Sequence, residues 1–305
     1  NNERAFQVNA KDMQILAQHE VSLQRRLDRG NAQVNLGGSL LSDLNIHYEM
    51  GDRTRAITCG GIGAMHKMVT RLGLPQAING ALRVFKVHLP YHESDHVLNI
   101  AYNVLNGGQC LEDIELLRQD EVYLDALGTP RIPDPTTAGD FTRRFRSERT
   151  ILDLQDAINA TRRKVWKKQP RASRRQAILD VDGTIAPTEG ECKQGMGLSY
   201  KGDWGYHPLL VSLANTREPL YLVNRPGNVP SHADAPEWID RALDLVDDAF
   251  DTVLLRGDTD FSLTKHLDRW DKRATFIFGY DARKQLVELA DRLPPHGWKR
   301  LARPP

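Results

Sequence analysis

Two short acidic clusters each follow an apolar run that reads as a strand. The first is Asp180-Val181-Asp182-Gly183-Thr184, at the end of Ala177 to Val181; the second is Arg256-Gly257-Asp258-Thr259-Asp260, after Thr252 to Leu255. Side chains alternate along a strand, so Asp180 and Asp182 share a face. A carboxylate at the end of a buried strand costs several kcal/mol, on the order of the desolvation of one ion, unless it has a partner. A divalent metal removes that penalty. A few carboxylates with room left for water suit Mg²⁺ or Mn²⁺, and such ions serve displacement at phosphorus. A lone Asp at a strand end is as readily a cap or a turn residue. Asp260 in particular reads as the cap of a helix beginning at Phe261.

The elements that must hold these groups follow from periodicity. From Gln176 onward, Ala177 to Val181, Tyr206 to Ala214, Leu220 to Asn224, Thr252 to Leu255 and Thr275 to Gly279 read as strands. Pro236 to Phe250, Phe261 to Trp270 and Asp281 to Leu293 read as helices. A glycine-rich connector, with Gly190, Gly195, Gly197, Gly202 and Gly205, separates the first two strands. Before residue 176 the texture is helical: Lys11 to Arg29, Ile62 to Leu72, Ser94 to Leu105 and Leu111 to Leu127 carry apolar residues at helical spacing, and Gly73-Leu-Pro75 reads as a stop after the second. Pro130, Pro133 and Pro135 exclude a helix across themselves. Thr137, with Asp140 in the first turn, reads as the N-cap of a helix carrying Arg143, Arg144, Arg146 and Arg149, followed by a helix over about Ile151 to Lys168. The fold class is therefore α+β: an all-α domain over 1–175, then a mixed domain over 176–305 with three strands, a helix, a strand, a helix, a strand and a helix.

The chain has 305 residues, 40% of them hydrophobic, and 41 basic side chains against 40 acidic ones. This is enough apolar material for a core and argues against wholesale disorder. Cys59, Cys110 and Cys192 form no CxxC pair, so neither a disulfide framework nor a zinc site is expected, and a reducing, cytoplasmic setting is. No apolar run approaches the roughly 20 residues of a membrane span, so no membrane partner is expected. The near-zero net charge hides one asymmetry. Between Arg143 and Arg175 twelve basic residues face only Glu148, Asp153 and Asp156, a local net of +9 (twelve minus three). That segment is where contacts to DNA phosphates are expected, from Arg143, Arg144, Arg162, Arg163 and Lys167; the plain alternative is a solvated basic linker.

Two families use paired acidic clusters of this kind. Asp180 to Ile185 matches the opening DxDGT motif of the haloacid-dehalogenase-like phosphatases, in which Asp180 would be the nucleophile and Asp182 the acid/base. That fold alternates strand and helix, whereas here three strands follow one another. The longer resemblance, over about 100–305, is to DDE insertion-sequence transposases of the IS thirteen-eighty type. It is carried by Gly107-Gly-Gln-Cys-Leu-Glu-Asp-Ile, Pro133-Asp-Pro-Thr-Thr-Ala-Gly-Asp-Phe-Thr-Arg-Arg-Phe, Leu179-Asp-Val-Asp-Gly-Thr, Gly205-Tyr-His-Pro-Leu-Leu, Asn224-Arg-Pro-Gly-Asn and Arg256-Gly-Asp-Thr-Asp-Phe.

The resemblance implies an RNase H-like catalytic core, incomplete here, whose first three strands run antiparallel, followed by a helix, a strand, a helix and a strand. In it Asp182 and Asp258 would be the first two catalytic, metal-binding carboxylates, with Asp180 and Asp260 as second choices. Mg²⁺ or Mn²⁺ would be the cofactor, double-stranded DNA (transposon ends and target) the partner, and a homodimer the working form. It further implies a third carboxylate, a Glu on a later helix beyond an inserted segment. No such motif is present, and Glu288 reads as an exposed helical residue. The expectation is thus a chain truncated before that Glu and inactive as it stands, or a non-catalytic DNA-binding remnant. By the same resemblance the turn Arg225-Pro-Gly-Asn lies near the catalytic face, with Arg225 in reach of DNA. His207 reads as a satisfied structural histidine, and Trp204 and Trp270 as packed rather than stacked on a base.

Overall fold

A computed structural model describes residues 10–31, 59–86, 90–190 and 192–300. The chain divides into two compact units, Asn1–Val165 and Trp166–Pro305. The division falls earlier than the break expected at 175, and Trp166 shows why. Its ring is buried edge-on to Phe250 and its Nε1 donates to Glu218, both residues of the second unit.

The first unit is helical: α1 (Ala10–Asn31), α2 (Ile62–Arg71), α3 (Leu74–Ala81), α4 (Glu93–Leu105), α5 (Ile114–Arg118), α6 (Glu121–Leu127), α7 (Pro135–Thr142) and most of α8 (Glu148–Lys168). Its core gathers Ile62, Leu98, Tyr102, Ile114, Tyr123 and Leu127, with a second cluster around Ile78, Leu82 and Phe141. Three expectations are corrected. The single helix over 111–127 is a 3₁₀ turn (Leu111–Asp113) followed by two short helices, because Asp120 caps α6 by accepting from the Val122 and Tyr123 amides. α3 begins at a proline-containing segment that reads as a stop; Pro75 sits in the first turn, where its missing N–H is harmless. The cap of α7 is Asp134, not Thr137. Its Oδ1 accepts from the Thr137 amide at 2.9 Å and its Oδ2 from the Thr137 hydroxyl at 2.7 Å, which also holds the Asp134 carboxyl below the usual carboxylate range. α7 then ends at Thr142, so Arg143, Arg144 and Arg146 lie in the connector to α8 rather than on a helix.

The second unit is built on a five-stranded sheet. Its strands are β1 (Gln176–Gly183), β5 (Leu209–Leu213), β6 (Glu218–Val223), β7 (Thr252–Gly257) and β8 (Thr275–Phe278), in spatial order β6-β5-β1-β7-β8. β1 runs antiparallel to β5 and β5 to β6, while β7 is parallel to both β1 and β8. α9 (Ala235–Val246) leads into β7, α10 (Thr264–Trp270) into β8, and α11 (Lys284–Asp291) follows. The glycine-rich connector forms a second, small sheet of β2 (Ala186–Pro187), β3 (Gly197–Leu198) and β4 (Trp204–Tyr206), in the order β2-β4-β3. The strand expected over Tyr206 to Ala214 is therefore two strands in different sheets, broken at His207-Pro208.

The main sheet has one covered and one open face. Ala177, Leu179 and Val181 of β1, Leu209, Val211 and Leu213 of β5 and Leu255 of β7 are buried, and α9 packs on β1, β5 and β6. Trp270 of α10 is fully buried and donates its Nε1–H to Asp240 of α9. Alternation sends Asp180, Asp182, Ser212, Leu222, Arg256 and Ile277 to the other face. That face stays open, with Leu222 53% and Ile277 61% exposed. Burying such residues would contribute roughly 25 cal/mol per Å² of apolar surface.

Candidate active site at the ends of two parallel strands

Parallel pairing of β1 with β7 sets Asp180 opposite Arg256 and Val181 opposite Gly257. The paired register ends there, and Asp182 and Asp258 are the next residue along each chain. The three aspartates then differ in what already holds them. Arg256 donates from Nε to Asp180 Oδ1 at 2.6 Å and from Nη2 to Asp180 Oδ2 at 2.7 Å, a bidentate fork that also raises the Arg256 pKa. Asp258 caps the 3₁₀ turn Thr259–Phe261, its Oδ1 accepting from the Asp260 amide at 2.9 Å. Asp182 is exposed and has no hydrogen-bond partner among the described residues. Asp260 is exposed beside it in the turn.

This arrangement orders the two candidates on β1. Both oxygens of Asp180 are engaged by Arg256, whereas Asp182 has no such partner. The phosphatase reading fails at the fold, because the strand after the motif in the main sheet is antiparallel. Among the described residues no group of three His, Cys, Asp or Glu converges on one metal position. Asp182 and Asp258 do fit two-thirds of a hard-cation site, being oxygen donors on neighbouring strands with free lone pairs. Glu288 lies on α11 in an (i,i+4) pair with Arg292 at 3.9 Å, as an exposed helical residue does.

Beyond Gly183 the strand end opens into a cavity of about 670 Å³. Its walls include Thr184, Tyr200, Lys201, His207, Asn228, Ser231, Asp258 and Asp260. Asp182 projects to the open face of the sheet, and the cavity is lined from the next residue onward. Gly183 has to lack a side chain here: a Cβ would stand 2.8 Å from His207 Nε2 and 3.0 Å from Ser231 Oγ. Gly227, also in the lining, belongs to a set of backbones in close contact. A Cβ on Gly227 would lie 2.4 Å from the Gly197 carbonyl, and one on Gly205 would lie 2.3 Å from that of Ala186. The glycines of the connector thus let the loop 226–229 rest on the small sheet.

Arg225 is not where the sequence suggests. It is 6% exposed. Its Nε donates to the His207 carbonyl at 3.1 Å, and its Nη1 to those of Ser231 at 3.1 Å and Ala233 at 2.6 Å. Nη2 is buried without a partner. Burial lowers the Arg225 pKa, opposed by the charge of Asp234, which itself adopts a left-handed φ of 56° before α9. Arg225 offers DNA no surface and instead ties the end of β4 to the loop before α9. His207 is satisfied on one side as expected: Nδ1 meets the Val229 carbonyl at 2.6 Å.

The basic segment is only partly uncommitted. Arg143 pairs with Asp140 at 2.6 Å, and Arg144 lies 5.0 Å over the Phe85 ring. Arg162 donates to Asn159, Arg163 also has a partner, and Lys167 pairs with Asp248 at 2.5 Å. Arg143, Arg144 and Lys167 are exposed and Arg162 and Arg163 half-buried. Exposed pairs of this kind are worth ~0–1 kcal/mol and exchange readily for phosphate.

No helix among the described residues is long and apolar enough to cross a membrane. No curated protein matches the chain. Among solved structures, the piggyBac transposase synaptic complex with hairpin DNA is similar at 11% identity and a TM-score of 0.33. The match covers 81% of this chain and 48% of that one, so the chain spans about half the length of that transposase. The family model described as Transposase DDE domain group 1 matches residues 52–304, which span both acidic clusters, and the chain belongs to that family.

Proposed function

We propose that the chain catalyses, or forms the core that catalyses, metal-dependent DNA strand cleavage and strand transfer at insertion-sequence ends, and that it is of the IS thirteen-eighty type. The observation that carries this reading is that Asp182 and Asp258 each follow the last β1–β7 pair, Val181 with Gly257, while Asp180 is held by Arg256. The strand order supports an RNase H-like core: three antiparallel strands, with two parallel strands added on the far side of the first.

In this reading Asp182 and Asp258 hold Mg²⁺ or Mn²⁺. Held there, such ions would supply stabilisation of the negative charge in displacement at phosphorus. Asp182 serves as a ligand because no other group competes for it. Asp258 is oriented by the Asp260 amide, which fixes one oxygen and leaves the other free. A third carboxylate has to approach over the open face of the sheet, where Asp182 projects, from outside the described residues or from a second copy. The partners are double-stranded transposon ends and target DNA, with a homodimer as the working form. Arg143, Arg144, Arg162, Arg163 and Lys167 supply phosphate contacts, the exposed pairs opening when DNA arrives.

The test is Asp182→Asn. Mg²⁺-dependent nicking of a plasmid carrying this gene with its flanks is expected to fall at least a hundredfold, while duplex binding measured by anisotropy stays within about twofold. Nicking at the wild-type rate by that variant defeats the assignment.

A further inference from the structure

Apart from Asp258, the cavity beyond Gly183 has a lining that the metal chemistry does not use. His207 is 6% exposed and held from three sides. Its amide donates to the Arg225 carbonyl at 2.8 Å, its carbonyl accepts from Arg225, and its Nδ1 meets the Val229 carbonyl. A carbonyl can only accept, so Nδ1 carries a proton, and a ring with that one proton keeps a lone pair on Nε2. Nε2 has no partner among the described residues and faces the space over Gly183, beside Ser231 Oγ. A buried acceptor held this firmly is placed for a donor. Phosphate oxygens only accept, so this wall does not suit the DNA backbone; each of the four bases carries an N–H that suits it.

The rim supplies the other two contacts a nucleotide needs. The turn 199–203 is preformed: Ser199 Oγ accepts from the Lys201 and Asp203 amides, and Gly202 takes a φ of +87° that favours glycine. It presents Tyr200, 81% exposed, with the Lys201 ammonium 5.5 Å over its ring. An aromatic face held out on a rigid tip is a stacking platform, and the lysine beside it suits a phosphate. The cavity volume lies within the roughly 300–1,000 Å³ of small-ligand sites.

We propose that this cavity is a subsite for one unpaired nucleotide of the DNA strand bound at Asp182 and Asp258, an assignment that rests on the DNA-processing reading above. The base edge donates to His207 Nε2 and meets Ser231, the base face stacks on Tyr200, and the phosphate meets Lys201. Arg225 is the positioning residue that keeps His207 in place.

The test needs no cleavage. Two labelled duplexes of the same sequence are compared by anisotropy on the full chain, one fully paired and one with a single extrahelical nucleotide. The wild type is expected to prefer the second by about tenfold, the scale of one base stacked on an aromatic side chain. Tyr200→Ala, on an exposed tip where folding is not at stake, is expected to lose most of that preference while binding the paired duplex as before. Gly183→Ala, which puts a methyl where the base edge belongs, is expected to lose it too, with thermal unfolding checked alongside. Equal affinity of the wild type for both duplexes, or an undiminished preference in Tyr200→Ala, overturns the subsite and leaves the transposase reading standing. Failure to bind either duplex at low salt defeats both.

Discussion

Replacing Arg225 by alanine removes three hydrogen bonds from a charged donor, at 3.1, 3.1 and 2.6 Å, and leaves the carbonyls of His207, Ser231 and Ala233 facing a void. Bonds to charged groups contribute ~1.5–3 kcal/mol each, but a simple sum overstates the loss. The folded state already carries the desolvation of the guanidinium, including an Nη2 with no partner. A net destabilisation of about 3–5 kcal/mol follows, the range seen when one side of a buried charged network is removed. For a unit of this size each kcal/mol moves Tm by about 2–4 °C, so the transition is expected to drop on the order of 10 °C by calorimetry. Arg225→Lys should recover only part of this, because a compact ammonium cannot span three carbonyls as a planar fork does. The contrasting view of Arg225 as a phosphate contact makes the opposite prediction. Stability would hold, and the slope of log K against log salt for duplex binding would fall by about one. A Tm within about 2 °C of wild type, together with that smaller slope, would refute the buried-clamp argument.

Asp180→Asn breaks a half-exposed ion pair and is expected to change stability by no more than about 1 kcal/mol, with DNA nicking retained; loss of nicking would move the chemistry onto Asp180. His96 is buried against Phe141, with ring centroids 4.7 Å apart, and burial lowers its pKa from 6.5 to about 4. Its protonation belongs to the unfolded chain, so the stability it lends is complete above pH ~6.5 and is lost as pH falls toward ~4. Urea unfolding at pH 7 and 5 should differ by about 2 kcal/mol from this group, a difference that His96→Phe removes. Gly227→Ala forces its methyl to within 2.4 Å of the Gly197 carbonyl; a loss of about 1–3 kcal/mol and faster proteolysis of the 226–234 loop are expected.

The parts of this structure that can be read from sequence are those fixed by local periodicity. β1, β6, β7 and β8 alternate or run apolar over four to eight residues, and their positions follow within a few residues. The small sheet is invisible by the same rule. β2 and β3 have two residues each and β4 three, too few for a pattern, and their cohesion comes from Gly197, Gly205 and Gly227 bringing backbones into contact across long separations. Prolines mislead in the other direction. Pro75 and Pro135 read as breakers but sit in the first turns of α3 and α7, where no N–H is needed. Arg225 misleads because a turn sequence suggests exposure, while burial is decided by partners 18, 6 and 8 residues away. The motif Gly107 to Ile114 turns out to be a structural cap: Asp113 Oδ2 accepts from the Gln109 and Cys110 amides, and Asn103 donates to the Cys110 carbonyl.

The choice between Asp180 and Asp182 shows why a site can be half legible. Alternation places both on one face of β1 and treats them alike. What separates them is the parallel register with β7, in which Arg256 falls opposite Asp180, while Asp182 lies one residue past the last pair, as Asp258 does on the other chain. The cation cancels one aspartate, and the second carboxylate reinforces the other as a site for positive charge. The same alternation puts Leu179 and Val181 into the core under α9, so one strand builds the core with its odd positions and the site with its even ones. A slip of one residue would send both aspartates inward and both apolar residues out, at a cost of several kcal/mol per buried carboxylate. The burial that stabilises the sheet therefore also fixes the register of the site. Substitutions at Leu179 or Val181 should affect metal affinity through stability alone, whereas Arg256→Ala should free Asp180 to compete for the cation beside Asp182.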